Sequence, residues 1–170
     1  PRIFSAQNQQ LARWTDLVKS AGREFRLTVE ITERLLFDDP VQAHKALNDL
    51  AASGIAISID DFGTGNASLI HLTRFPVGMI KVDRSFTHAI GGGGAEQTLL
   101  DTILMMAQRL ELRVVAEGVE TREQLDYLRS RNCDFVQGYL LGPPVCPAEF
   151  LELARAAAPS EDSTPGRSLR

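Results

Sequence analysis

Cysteine and histidine are scarce in this chain of 170 residues. It has two cysteines, Cys133 and Cys146, which are too few and too widely spaced for a zinc motif. Two thiols in a chain of this kind are more often free, in a reducing compartment. We therefore expect a cytoplasmic location, either for a free protein or for the cytoplasmic part of a membrane-anchored one. The three histidines, His44, His71 and His88, fall on helix-like segments, and we expect them to be surface or structural residues.

Long hydrophobic runs and an excess of basic residues are also lacking. No apolar run is long enough to span a bilayer, and no signal peptide opens the sequence. Lysine and arginine number 18 against 22 acidic residues, so the net charge is -4. This balance argues against a nucleic-acid polymer as the partner. An anionic substrate would need metal ions to offset an acidic site.

Short apolar runs that end in polar residues are what the sequence does contain. Five strand-like runs each lead to an acidic, basic or amide residue: RLTVE ends at Glu30, IAISIDD at Asp60 and Asp61, MIKVD at Lys81 and Asp83, RVVAE at Glu117, and DFVQ at Gln137. In alternating β/α proteins the carboxyl ends of parallel strands meet at one rim, where chemistry is done. We therefore expect these side chains to converge.

Helix-like stretches separate the runs. The apolar spacing and the capping residues predict helices over 7–20, from Asp39-Pro40 to Gly54, and over 84–90, 95–110, 122–130 and 147–157. Thr121 with Gln124 forms a capping-box pattern. In the helix over 95–110, the predicted inward face consists of Leu99, Leu100, Ile103, Met106, Ala107 and Leu110. Residues 158–170 are polar without periodicity, and we predict a disordered tail.

The fold class is α/β, with about five βα units at the expected strands 25–30, 55–59, 78–82, 112–116 and 134–136. The length predicts one domain. A closed (β/α)8 barrel needs eight strands and commonly about 250 residues. The pattern alone therefore leaves two architectures open, a small doubly wound sheet and the C-terminal two-thirds of a barrel.

Asp60-Asp61 is the sharpest local feature. Two adjacent carboxylates at the end of a buried strand can each bind one metal ion or bridge two, an arrangement that suits attack on a phosphodiester. Oxygen ligands favour Mg²⁺ or Mn²⁺ over zinc. The structural alternative is a helix N-cap and turn. Lys81 would orient water, neutralise a phosphate oxygen or serve as a counter-ion to the acids.

Five motifs in order resemble the EAL family of bacterial cyclic di-GMP phosphodiesterases. They are VEITE (29–33), IDDFGTG (59–65), IKVDRSF (80–86), VVAEGVET (114–121) and CDFVQGYLLGPP (133–144). The resemblance implies a TIM-like (β/α)8 barrel of EAL type, incomplete at the N-terminus. Residues 1–157 would then form the C-terminal part of the domain. It also implies metal-dependent hydrolysis of cyclic di-GMP to linear pGpG, a homodimer, and a fused or partner sensory or GGDEF-type domain.

The resemblance also implies roles for individual residues. Glu30, Asp60 and Asp61 match metal ligands, and Glu117 matches an acid that is a ligand or a general base. Lys81 matches a lysine that contacts the catalytic water, and Gln137 matches an amide that holds this network. Glu33 matches a glutamate that anchors the loop after Asp61. Asp83 and Glu120 match residues near the bound nucleotide.

The Glu-Ala-Leu stretch that names the family is absent from these 170 residues. Its glutamate is a metal ligand in the family, and Ile3 stands where a second ligand, an asparagine, is expected. Two hypotheses follow. The chain is the C-terminal part of a working phosphodiesterase, or it is an incomplete module that binds nucleotide or a partner protein without turnover. In either case we expect these residues by themselves to hydrolyse cyclic di-GMP poorly or not at all.

Overall fold

The computed structural model describes residues 27–32, 40–64, 72 and 74–157. The predicted helix over 7–20, Glu33, His71 and the tail 158–170 lie outside the described residues. The strands within them are β1 (Thr28–Thr32), β2 (Ala56–Phe62), β3 (Met79–Val82), β4 (Arg113–Ala116) and β5 (Phe135–Val136). The helices are α1 (Pro40–Ala52), α2 (Arg84–His88), α3 (Ala95–Arg109), α4 (Arg122–Ser130) and α5 (Pro147–Ala157).

The five strands form one parallel sheet in the order β1-β2-β3-β4-β5. Each strand is therefore paired with its neighbour in sequence, and helices lie between most of them. This arrangement confirms the α/β class and is that of a partial barrel. Within the described ranges, no helix combines the length and the apolar character needed to cross a membrane.

The two faces of the sheet differ in chemistry. One face carries apolar side chains that are almost completely buried, among them Ile57, Ile59, Ile80 and Val82. Since side chains alternate along a strand, the residues between them point to the opposite face. That face carries Ser58, Asp60 and Lys81. The core and the candidate site therefore use alternate positions of the same strands.

Within the described residues, the predicted helices are present, with one correction to the inward face of α3. Thr121 and Gln124 form both hydrogen bonds of a capping box, so that α4 begins at Arg122 as predicted. In α3 the buried residues are Leu100, Ile103, Leu104 and Ala107. Leu99 and Leu110, predicted to face inward, are 44% and 37% exposed. The buried face of α3 is therefore rotated slightly from the predicted one, because Leu104 is buried in the core where Leu99 and Leu110 were expected.

Two strands extend further than predicted. β1 continues two residues beyond Glu30, and β2 continues through Asp60 and Asp61 to Phe62. These three acids therefore lie inside strands rather than in the loops that follow. The alternative of Asp60-Asp61 as a helix N-cap is wrong.

The two thiols differ in their surroundings. Cys133 and Cys146 are both free, and Cys146 is exposed. Burial raises the pKa of the Cys133 thiol to about 11, although hydrogen bonds from the backbone oppose the shift. Because the thiolate is the reactive form, and because Cys146 is exposed, we expect Cys133 to be alkylated at least about tenfold more slowly than Cys146 at pH 8. Mass spectrometry after timed iodoacetamide treatment would measure this, and equal rates would contradict it.

Candidate functional site

A β-bulge brings Asp60 and Asp61 to the same side of β2. Ile59 pairs with Ile80 and Phe62 pairs with Val82, so two residues of β2 stand opposite Lys81 alone. Asp61 adopts φ 53, a left-handed conformation that aspartate tolerates better than most residues. In a regular strand, adjacent side chains point to opposite faces. The bulge therefore gives one face two adjacent carboxylates.

Lys81 holds the carboxylates of three chain segments together. Its Nζ lies 2.7 Å from Oε1 of Glu117, 2.9 Å from Oε2 of Glu30 and 3.1 Å from Oδ1 of Asp60. The lysine is only 8% exposed. Burial acts to lower the pKa of Lys81, but hydrogen bonding and attraction to these carboxylates outweigh it and raise the pKa above its usual value. The ammonium is therefore charged throughout the neutral range and cannot act as a base.

Three carboxylates have the geometry of a cation site. Asp60, Asp61 and Glu117 each offer an oxygen, and these oxygens all lie within 4.8 Å of one another. Oδ1 of Asp60 is buried, and although it lies near Lys81 it has no hydrogen bond of acceptable geometry. The single charge of Lys81 is shared by Glu30, Asp60 and Glu117, so most of the negative charge of the acids stays uncompensated, and a divalent ion would offset that excess. The residues present therefore fit a hard divalent ion such as Mg²⁺ or Mn²⁺.

Glu30 stands slightly apart from this group. Its side chain is half exposed and contacts Lys81, but it does not belong to the set of mutually close oxygens found among the described residues. Lys81 thus contacts three of the four acids, Glu30, Asp60 and Glu117, and Asp60, Asp61 and Glu117 lie within reach of one ion.

A cavity of about 550 Å³ continues from the acids along the edge of the sheet. Glu117 and Gln137 line one part of it, and Asp83 and Glu120 also face it. The backbone N–H of Gln137 donates to the carbonyl of Ala116, which fixes the start of the segment after β5. Glu117 therefore belongs both to the predicted metal site and to the lining of the cleft that Asp83 and Glu120 face.

Local hydrogen bonds position Asp83 and Glu120. Asp83 is the N-cap of α2 and accepts a hydrogen bond from the backbone N–H of Ser85 at 2.9 Å. Hydrogen bonding from Ser85 holds the pKa of Asp83 below its usual value. The backbone N–H of Glu120 donates to Oε1 of Gln124 at 2.8 Å. The capping box of α4 therefore also fixes the backbone of a cleft residue.

Sequence reasoning missed Arg84, which is the cation among the residues that line the cavity. It directly follows Asp83, so a signal was present, because residues just after a strand end belong to the rim. His88, predicted to be structural or on the surface, is partly exposed and lies beside Glu120.

Gly138 allows two segments of the cleft to pack closely. A Cβ at this position would overlap the backbone of Val119, whose N–H donates to the carbonyl of Gln137 at 3.0 Å. We expect Gly138→Ala to lower the free energy of unfolding by about 3 kcal/mol, measured by urea denaturation. Gly54→Ala is the matched control, since no heavy atom lies within 4 Å of its Cβ position. It retains only the cost of its positive φ, about 1 kcal/mol. Equal losses in the two variants would contradict the argument.

Comparison with known proteins gives matches of sequence and of structure. The family model for the EAL domain matches residues 2–144. The cyclic di-GMP phosphodiesterase NbdA of Pseudomonas aeruginosa is 45% identical over 130 residues, which cover 76% of this chain and 17% of that protein. The probable cyclic di-GMP phosphodiesterase PdeN of Escherichia coli is 38% identical over 148 residues, which cover 87% of this chain and 27% of that protein. The chain thus spans less than a third of these curated relatives.

The fold matches solved structures as well. A cyclic di-GMP complex of the MucR phosphodiesterase of Pseudomonas aeruginosa superposes with a TM-score of 0.76 at 33% identity, over 88% of this chain and 60% of the other. Partial coverage of larger barrels agrees with a sheet of five strands. Given the motifs, the parallel sheet and the match over residues 2–144, the chain belongs to the EAL domain family.

Proposed function

We propose that this chain carries the metal-binding part of a cyclic di-GMP phosphodiesterase, which hydrolyses the cyclic dinucleotide to linear pGpG. The observation that carries the proposal is the group of three carboxylates, Asp60, Asp61 and Glu117, with oxygens within 4.8 Å of one another beside a cleft. The relative NbdA is named as a phosphodiesterase of this substrate.

The reaction requires an oxygen nucleophile, an in-line path and stabilisation of charge on the leaving oxygen. Water forms a new bond to phosphorus, one P–O3′ ester bond breaks, and the released 3′ oxygen takes up a proton. Divalent ions bound by the carboxylates would supply charge neutralisation and an acidified water. The protein residues have to hold the acids together, orient the water and receive its proton.

Each candidate residue has a role consistent with its position. Glu117 borders both the acid group and the cavity, so it is placed to bind an ion or to accept a proton from water. Lys81 keeps its charge, which suits it to orient water or a phosphate oxygen rather than to remove a proton. Asp83 and Glu120 face the cavity, where they can accept hydrogen bonds from a nucleotide. Glu30 contacts Lys81, and Gln137 lines the cavity beside Glu117. The role of Glu33 in anchoring the loop after Asp61 remains a prediction.

Mg²⁺ or Mn²⁺ is the proposed metal. The donor atoms are all carboxylate oxygens, which favour hard cations. The BlrP1 protein of Klebsiella pneumoniae, which matches this chain with a TM-score of 0.68 at 33% identity over 79% of this chain and 35% of the other, was solved with manganese and cyclic di-GMP.

A second candidate function is that of a module that binds cyclic di-GMP or a protein partner without turnover. The position of Glu30 outside the close group of acids favours it. The phosphodiesterase and a nucleotide-binding module both predict metal-dependent binding of cyclic di-GMP, and they differ in the rate of hydrolysis.

The proposal extends to assembly and location. We propose a homodimer, because β1 and β5 each have one unpaired edge within the described sheet, and such edges favour pairing with another chain. A sensory or GGDEF-type domain is a further proposed partner, since the relative MucR is named as a bifunctional diguanylate cyclase and phosphodiesterase. A cytoplasmic location follows from such a role. Solution scattering that shows a clean monomer would contradict the homodimer.

The test combines calorimetry with a turnover assay. Cyclic di-GMP is titrated into the protein with Mg²⁺, with Mn²⁺ and with EDTA, and pGpG is measured by chromatography in parallel samples. We expect binding that depends on the divalent ion, with slow formation of pGpG. Binding without any product would favour the second function. No binding in either metal would refute the phosphodiesterase and the nucleotide-binding module, and would leave only a module that binds a protein partner.

A further inference from the structure

His88 and Glu120 meet at the rim of the cleft. Nε2 of His88 lies 3.6 Å from Oε1 of Glu120, and the side chains are 45% and 50% exposed. This distance exceeds that of a good hydrogen bond, so the attraction depends on protonation of the imidazole. Glu120 lines the cavity. A change in the charge of His88 would therefore alter the electrostatic effect of Glu120 on a ligand bound in the cavity.

Two separate elements bring the pair together. His88 occupies the last turn of α2, and Glu120 lies in the segment between β4 and α4. The backbone of Glu120 is held by Gln124. Gly118 lets α2 approach this segment closely, because a Cβ there would stand 2.5 Å from Cβ of Arg84, one turn before His88. The contact is thus built by the packing of α2 against this segment.

The other charges near the pair are few. Arg84 lies one turn earlier on α2, and Asp83 is the N-cap of the same helix. Glu117 lies on the segment that carries Glu120. Among the described residues, Glu120 provides the only carboxylate within ion-pair distance of His88. The helix α3 packs against α2, and its charged residues are Glu96, Asp101 and Arg109. In the part of the chain that the structure describes, none of these three forms an ion pair with His88.

We infer that His88 is a positioning residue that makes the binding of an anionic nucleotide pH-dependent by holding the Glu120 carboxylate. The inference rests on the proposed function. With a neutral imidazole, Glu120 adds its negative charge to those of Asp83 and Glu117 along the cleft. An imidazolium beside Oε1 of Glu120 offsets that charge without occupying Oε2, which can still accept a hydrogen bond from the nucleotide. Cyclic di-GMP, a dianion, is therefore bound about two- to fivefold more tightly at pH 6 than at pH 8, the range expected of one exposed ion pair.

The test measures the dissociation constant of cyclic di-GMP by calorimetry at pH 6 and pH 8, in Ca²⁺. His88→Gln, which cannot be protonated, keeps the weaker binding at both pH values. His88→Lys, which stays charged, keeps the tighter binding at both. In a protein that already carries Glu120→Gln, the further change His88→Gln does not alter the dissociation constant of cyclic di-GMP at either pH. His44→Gln is the matched control, because His44 is an exposed histidine on α1, and this variant retains the full pH dependence.

Three outcomes decide the question. If His88→Gln and His88→Lys both retain the pH dependence of the wild-type protein, the inference is overturned while the proposed function stands. If the wild-type protein binds no cyclic di-GMP at either pH, the proposed function fails and the inference fails with it. If Glu120→Gln itself abolishes binding, the test uses only the pH dependence of binding in His88→Gln and His88→Lys.

Discussion

Lys81→Met is expected to lower the free energy of unfolding by about 3 kcal/mol in EDTA and to abolish hydrolysis. The ammonium lies within 3.1 Å of oxygens of Glu30, Asp60 and Glu117, and it is almost completely buried. Methionine has a similar length but no charge, so the acids would be left to repel one another. Millimolar Mn²⁺ should recover part of the stability, because a divalent ion offsets the same charges. Urea denaturation in both conditions measures the effect.

The control for this prediction is Lys45→Met, at an exposed lysine of α1. We expect it to change the free energy of unfolding by no more than about 0.5 kcal/mol, with no dependence on Mn²⁺. If Lys81→Met were as stable as Lys45→Met in EDTA, the lysine would not be what holds the acids together.

Asp60→Asn is expected to weaken Mn²⁺ binding by at least about 100-fold. Mutation of residues that only hydrogen-bond to a metal ligand commonly lowers metal affinity by about 10–100-fold, and Asp60 is itself a proposed ligand. In the absence of metal the same change should raise the free energy of unfolding by on the order of 1 kcal/mol, because it removes one of three carboxylate charges that share a single lysine. Calorimetric titration and urea denaturation give the two values. Opposite signs for binding and stability are the mark of a site built for a cation.

Asp49→Asn provides the comparison, because Asp49 is exposed on α1 and lies outside the acid group. It should leave the affinity for Mn²⁺ and the free energy of unfolding nearly unchanged. An unaltered Mn²⁺ affinity in Asp60→Asn would remove this residue from the ligand set.

The order of the elements is predictable from the sequence because local signals agree with the fold. β2 and β3 are short β-branched runs, and α4 begins where a capping box places it. The convergence of Glu30, Asp60, Lys81 and Glu117 is predictable too, since parallel strands place their carboxyl ends on one rim. What these residues do there is a prediction that the described geometry supports.

Other features depend on tertiary packing and have no local signal. The bulge at Asp60 and Asp61 arises from the pairing of β2 with β3, so the sequence alone indicated a strand that ended too early. The exposure of Leu99 on α3 depends on where the helix meets the sheet. The contact between His88 and Glu120 joins the end of α2 to the segment after β4, about thirty residues further along the chain, and no local sequence pattern predicts it.

The bulge in β2 has a consequence for which sequence changes the site can absorb. Deleting either Asp60 or Asp61 would restore an unbroken ladder opposite Lys81 and leave a single acid at this point, so that a more regular strand would be a poorer chelator. Insertions and deletions in β2 should therefore be far more harmful to metal capture than to folding. The bulge interrupts the regular ladder of β2, and in doing so it places a second carboxylate beside the first.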